Sequence, residues 1–336
     1  METRHSFFQY LPIVFVDDRP VKVPTFVISS SQILYHSLSN EISRSDRPSG
    51  LCRRASLAAH SSPPSSPSYI DMDKTSNVLP DVQNLIDGRN IPIDRVGIRG
   101  LTVPLQVQSV KGAQPTVAKV CMCVGLPADK RGTHMSRFVS LIADNHAPLS
   151  SDMMRETLEK MLTLLEAEEG YIEISCPFFV TKTSPMSKLK SLMNYDVRFL
   201  AERVGGKTRV IQEVTVPVTS LCPCSREISD YGAHNQRSHI VVALELSEPI
   251  SLEEQIRFAE TSASCELWSR LKRNDEKFVT EFAYDHPKFV EDIIRDVCKQ
   301  LNADDRVLWY RAEAENFESI HNHSAYATIS RDKRLA

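Results

Sequence analysis

The sequence predicts an α+β protein in which antiparallel strands flank paired helices. Three observations lead there. From about Val78 onward, runs with period-two alternation of apolar and polar residues come in pairs. Between the pairs stand helical runs with apolar residues on one face. The order strand–strand–helix–helix–strand–strand then occurs twice, in halves that share little sequence. Strands grouped around helices, rather than alternating with them, suit an antiparallel sheet with helices on one face.

The elements follow in order. "RVGIRGLTVPLQVQSV" and "PTVAKVCMCVGLP" read as strands joined by a hairpin at "KGAQ". "SRFVSLIAD" and "SSDMMRETLEKMLTLLEAEEG" have helical spacing; the second starts from Ser151 or Asp152 as N-cap and closes at Gly170. "YIEISCPFFVTK" and "MNYDVRFLAERV" return to strand, and the latter ends at a Gly-Gly pair. In the second half, "TRVIQEVTVPVTSL" and "SHIVVALELS" are strands, and "SLEEQIRFAETSA" and "HPKFVEDIIRDVCKQLN" are helices. Val290, Ile293, Ile294, Val297 and Leu301 fall on one face of that last helix. "DRVLWYRAEAENFES" and "SAYATISRD" close the chain as strands. The expected units are therefore residues 76–206 and 207–336. Each offers four strands with open edges, and open edges favour pairing with another copy, so an oligomer is expected.

Residues 1–75 differ. "SSSQILYHSLSNEISRSDRPSGLCRRASLAAHSSPPSSPS" is rich in Ser, Pro and Arg without a sustained period. Such a segment buries too little apolar surface to offset its ordering entropy. It reads as a disordered extension, or as an upstream start with the true one near Met72. A targeting peptide fits less well, because acidic residues are interspersed.

Composition narrows the function. An apolar fraction of 41% and a charged fraction of 25% are those of a soluble globular protein. A net charge of -3 gives no global field to recruit nucleic acid. No apolar run reaches the roughly eighteen residues that span a bilayer. Eight cysteines in a chain of this size, without a secretory leader, read as reduced thiols in the cytoplasm.

The chemistry concentrates in "SLCPCSREISDYGAHNQRSHI", Ser220 to Ile240. Cys222 and Cys224 are one residue apart, which is wrong for a zinc finger, whose cysteines are two or more residues apart. On an extended segment they point to opposite faces, so only one thiol serves a given site. A polar turn with Gly232 brings His234 back beside the cysteine. The spacing alone leaves three readings open: a metal site, a thiol nucleophile, or a loop holding reactive side chains. A metal needs a further ligand, for which Glu266, Glu276, Glu281, Asp285 and Glu291 are available. Each of these alone is more often a solvated surface charge, and Glu291 also suits the first turn of its helix. His321 and His323 share one face if they lie on a strand, where they are equally well a polar strand edge. Lys130, Arg131, His134 and Arg137 surround a helix start, as an anion site or as an ordinary charged entrance.

Taken in order, "GTHMSRFV", "SLCPCSREISDYGAHNQRS", "HPKFVED" and "NFESIHNHSAYA" closely resemble the GTP cyclohydrolase I type B family, from about Val78 to Ala327. The resemblance implies the tunnelling fold: two tandem ββααββ modules per chain, assembled as a homotetramer around a barrel. It implies a hydrolase acting on a cyclic amidine. Such an enzyme opens the imidazole ring of GTP, releases formate from C8 and recloses the product as 7,8-dihydroneopterin triphosphate, the first step toward tetrahydrofolate. It implies a divalent ion, Zn²⁺, Mn²⁺ or Fe²⁺, held by Cys222, His234 and Glu276. Glu291 then anchors the guanine edge and His321 transfers protons, with His323, His134 and Arg137 near the substrate. Cys224 belongs to the motif without a settled role. Three neighbouring readings are a relative giving a cyclic phosphate product, a thiol nucleophile as in a nitrile reductase of the same fold, and a non-catalytic purine- or pterin-binding protein.

Overall fold

The structure is a computed structural model. It describes residues 81–335 and, in a separate unit, one antiparallel strand pair, β1 (Val14–Val16) with β2 (Arg19–Val21). The expectations for the remaining N-terminal residues, Met72 included, lie outside the described residues.

Eight strands form one antiparallel sheet. They are β3 (Ile93–Ser109), β4 (Gly112–Leu126), β5 (Gly170–Thr183), β6 (Lys190–Val204), β7 (Lys207–Leu221), β8 (Asn235–Leu246), β9 (Val307–Asn316) and β10 (Ala325–Asp332). Each pairs with its sequence neighbours, so β3 and β10 are the edges. Helices α1 (Met135–Ala143) and α2 (Ser151–Leu165) lie between β4 and β5. Helix α3 (Pro223–Ile228) lies between β7 and β8, and α4 (Leu252–Glu260), α5 (Arg273–Asp285) and α6 (Val290–Ala303) lie between β8 and β9.

Alternation decides which face is covered. On β5, Ile172, Ile174 and Phe178 are fully buried, whereas the alternate residues Tyr171 and Glu173 are not. The covered face joins the apolar stripes of α2, α4 and α6 into one core, with Met154, Leu158, Ile256, Ile293 and Val297 at its centre. The opposite face carries an ion-pair lattice. Arg198 and Arg311 both bond Glu213, and Arg209 bonds Glu245 while stacking 4.0 Å from the Trp309 ring.

Four local expectations are corrected. The N-cap of α2 is Ser150, whose hydroxyl accepts from Met153 N at 3.2 Å, one residue before the expected start. That helix ends at Glu166, in the left-handed region at φ 52°, and not at Gly170. Gly170 opens β5, where a Cβ would stand 2.8 Å from Leu162 Cδ2 and 2.9 Å from Met161 Cε; close helix–strand packing is what requires glycine there. The segment after Cys222 is a short helix with Pro223 in its first turn, not an extended run or a plain turn. Finally, α5 was not anticipated, because its sequence buries only Asp275 and Ala283 and so shows no apolar stripe. The Gly-Gly turn holds as expected: Gly205 and Gly206, both with positive φ, close the β6–β7 hairpin.

Candidate active site

The site grows out of the covered face of β7, β8 and β9. On β7, Val214, Val216 and Val218 are fully buried, and Ser220 and Cys222 continue the same alternation. On β8 the inward series runs from Leu244, Val242 and Ile240 to Ser238, Gln236 and His234. On β9 it runs from Ala312 and Ala314 to Asn316, and Glu318 follows just past the strand end. The core thus turns polar, and then reactive, toward one end of the sheet.

Cys222 and His234 meet at that end. Ser220 pairs with Gln236 and Leu221 with Asn235, and one step further Cys222 N donates to His234 O at 3.1 Å. Residues opposed across antiparallel strands hold their Cβ atoms about 4.5–5.5 Å apart on one face. Cys222 is also the N-cap of α3, and its sulfur accepts from Ser225 N at 3.4 Å. The Ser225 hydroxyl accepts from His234 N at 3.2 Å and so ties the turn together. Cys224, within α3, is exposed.

The ring of His234 is held from its Nδ1 side. Gln236 Oε1 lies 3.0 Å away, Ser319 Oγ 3.4 Å and Glu318 Oε2 3.9 Å. The side chains of His234 and Glu318 are nearly buried, at 13% and 11% exposure. A thiolate and an imidazole together suit a borderline divalent ion, so these two residues fit part of a metal site. Among the described residues, however, no three of His, Cys, Asp and Glu stand close enough to hold one.

The other expected residues are placed elsewhere. Glu276 lies in the first turn of α5, exposed, with no hydrogen bond to Cys222 or His234 among the described residues. Its neighbour Asp275 is fully buried and anchors the helix. It accepts from Met186 N and Ser187 N at 2.8 Å each and from Lys272 N at 2.9 Å. Burial alone would raise the Asp275 carboxyl, but bonds from Ser187, Lys272 and Met186 outweigh it and hold it well below the carboxylate range. Glu291 lies in the first turn of α6 and is exposed.

His321 and His323 are not on a strand. They sit in the bend between β9 and β10, exposed, with their rings stacked 5.2 Å apart. The strand expectation fails because β10 begins only at Ala325. His134 caps the start of α1 without a side-chain cap bond, and its Nε2 lies 3.3 Å from Asp81. Arg137 donates to Leu164 O at 2.9 Å, and Lys130 lies 3.7 Å from Glu166. These basic groups share a small cleft of their own.

Glu318, Gln236, Ser220, Ser238 and Asn316 were not anticipated. The signal was present as polar residues at inward positions of strands whose other inward positions are aliphatic.

The comparisons decide the family. A family model described as type I GTP cyclohydrolase folE2 matches residues 79–327. The chain belongs to that family. It is 58% identical over 258 residues to GTP cyclohydrolase FolE2 of Paraburkholderia xenovorans, covering 76% of this chain and 96% of the relative. It is 56% identical over 257 residues to GTP cyclohydrolase FolE2 2 of Cupriavidus metallidurans, with the same coverage. Among solved structures, urate oxidase from Bacillus subtilis 168 aligns at 10% identity and a TM-score of 0.43 over 72% of this chain and 100% of that one. That likeness is too distant to bear on fold or function.

Proposed function

We propose that this GTP cyclohydrolase converts GTP and water to 7,8-dihydroneopterin triphosphate and formate, with a divalent ion held by Cys222, His234 and Glu276. The observation that carries the reading is the pairing of Cys222 with His234 at the polar end of the core, within a chain that matches the family from residue 79 to 327. A bound Zn²⁺, Mn²⁺ or Fe²⁺ would lower the pKa of water and supply hydroxide at neutral pH.

The chain's own residues do the rest. Cys222 offers its sulfur, which Ser225 N–H holds in place at the start of α3. His234 offers the ring nitrogen opposite its Gln236 bond. Glu291 accepts from guanine N1 and the 2-amino group, a pairing that adenine, which lacks both donors, cannot make. His321 donates a proton toward N7 and thereby makes C8 electrophilic, a task an imidazole performs near neutral pH. His323, His134 and Arg137 stand near the substrate, and Lys130, Arg131 and Arg137 form the basic cluster that meets the triphosphate. The chain carries the tunnelling fold as modules 76–206 and 207–336, joined at the Gly-Gly turn. The free edges of β3 and β10 support assembly of a homotetrameric barrel. The enzyme acts in the cytoplasm on soluble GTP.

The deciding experiment incubates the full chain with GTP and each of the three ions. Formate and a linear triphosphate product are expected. A cyclic phosphate product would replace this reading with that of the neighbouring cyclohydrolase type. Undiminished turnover after thorough chelation would make Cys222 a nucleophile instead. Cys222→Ala and Glu276→Ala should each lose bound metal together with formate release. Full metal occupancy in either variant removes that residue from the ligand set.

A further inference from the structure

A buried hydrogen-bond chain runs away from the site. Gln236 Nε2 donates to Ser220 Oγ at 2.8 Å, Ser220 Oγ meets Ser238 Oγ at 2.8 Å, and Ser238 Oγ donates to Asn316 Oδ1 at 2.7 Å. All four residues are at least nine-tenths buried: Gln236 is 8% exposed, Ser220 and Ser238 0%, and Asn316 3%. Polar groups that deep are costly unless paired, and here they replace the aliphatic rows that fill the rest of this face.

Counting protons gives the chain a direction. A hydroxyl has one proton to donate. With the Asn316 amide oxygen turned toward it, Ser238 spends its proton on Asn316, so Ser220 donates to Ser238. Ser220 then has none left and must accept from the Gln236 amide nitrogen. That turns Gln236 Oε1, which can only accept, toward His234 Nδ1 at 3.0 Å. His234 Nδ1 must therefore carry the proton. The other two groups near Nδ1, the Ser319 hydroxyl and the Glu318 carboxylate, can both accept as well. Among the described residues, no hydrogen bond reaches Nε2, which keeps its lone pair.

We infer that Gln236 is a positioning residue: through Ser220, Ser238 and Asn316 it locks His234 as the Nδ1–H tautomer and aims Nε2 at a divalent cation. An unrestrained imidazole favours the opposite tautomer, with the proton on Nε2 and no lone pair there to give. The chain thus removes a rearrangement that metal binding would otherwise require. The use made of Nε2 rests on the reading of Cys222 and His234 as ligands; the tautomer does not.

The test uses the full metal-free chain with ¹⁵N-labelled histidine. Long-range ¹H–¹⁵N spectra should show His234 as Nδ1–H in the wild type and shifted toward Nε2–H in Gln236→Leu. Mn²⁺ affinity, read by the loss of free-ion EPR signal, should fall about 10- to 100-fold in the same variant. Gln236→Glu keeps an oxygen on Nδ1 and should restore Mn²⁺ binding. If Gln236→Leu does not fold, Ser220→Ala, which removes the acceptor that orients the amide, carries the test with the same expected direction. An unchanged tautomer in the folded disrupting variant overturns the inference. A changed tautomer with unchanged Mn²⁺ affinity overturns the part concerning the cation. If Cys222→Ser and His234→Ala also bind Mn²⁺ like the wild type, it is the ligand reading that has failed, while the tautomer result stands.

Discussion

Two hairpins of the same sheet end differently. The β3–β4 hairpin is closed by Val110 and Lys111 alone, with Ser109 paired to Gly112. The β7–β8 hairpin is closed by the stretch from Cys222 to His234, which contains α3. Their inward rows differ in the same sense. On β4, Ala118, Val120, Met122 and Val124 are all apolar and buried. On β7 and β8 the row becomes serine and glutamine before it reaches the thiol and the imidazole. One sheet thus supports a hairpin that only closes the chain and another whose end is rebuilt for chemistry. The rebuilding needs two coordinated changes: a longer connection, and a core that turns polar to hold it.

That contrast can be broken or sharpened by mutation. The largest effect should come from His234→Ala, expected to abolish formate release while the fold, followed by circular dichroism, persists. A protein that remains active would erase the functional difference between the hairpins. Next, Ile174→Ala in the apolar region should cost about 2–5 kcal/mol of stability, because it opens a cavity in a dry core. Its turnover per folded molecule should be unchanged, as read by denaturant unfolding beside a formate assay. Ser238→Ala should cost less, about 1–3 kcal/mol, because it leaves a buried partner unpaired rather than a void. A loss as large as that of Ile174→Ala would mean the polar row packs like the apolar one.

The smallest effect is a pH dependence. The folded Asp275 carboxyl titrates below its unfolded value, so its contribution is complete above about pH 4 and fades as pH falls toward the folded value. Asp275→Asn should therefore differ most from wild type near neutrality and least in strong acid. A stability gap that widens on acidification would refute the anchoring role.

Much of this was legible in the sequence, for physical reasons. Strands announced themselves because one face is covered and the other wet, so alternation was forced on them. The amphipathic helices α2, α4 and α6 were legible for the same reason. Helix α5 was not, since it is held by one buried carboxylate, Asp275, rather than by an apolar stripe. Helix α3 buries nothing and is too short to show a period. Cys222 and His234 were legible as a pair because the polar stretch with Gly232 between them reverses the chain, although its first part is helix α3 rather than a turn. Gln236 was missed because its meaning depends on which face of its strand it occupies, and Glu318 because it lies two residues past the end of β9. His321 and His323 fall between the two predicted strands, as they do between β9 and β10, so the shared strand face offered for them does not form.

Gly170 allows a statement about mutational tolerance. No replacement side chain lacks a Cβ, and here that first carbon already collides with Leu162 and Met161. A saturation scan should therefore rank glycine first and alanine next, because only the flexible ends of Leu162 and Met161 must shift to admit one carbon. Gly125, on the neighbouring strand β4, would place its added carbon no closer than 3.6 Å to Glu169 Cβ and should admit alanine. Two glycines on adjacent strands then differ in what drift can explore: one must wait for the side-chain ends of a helix to move aside, the other is open to change.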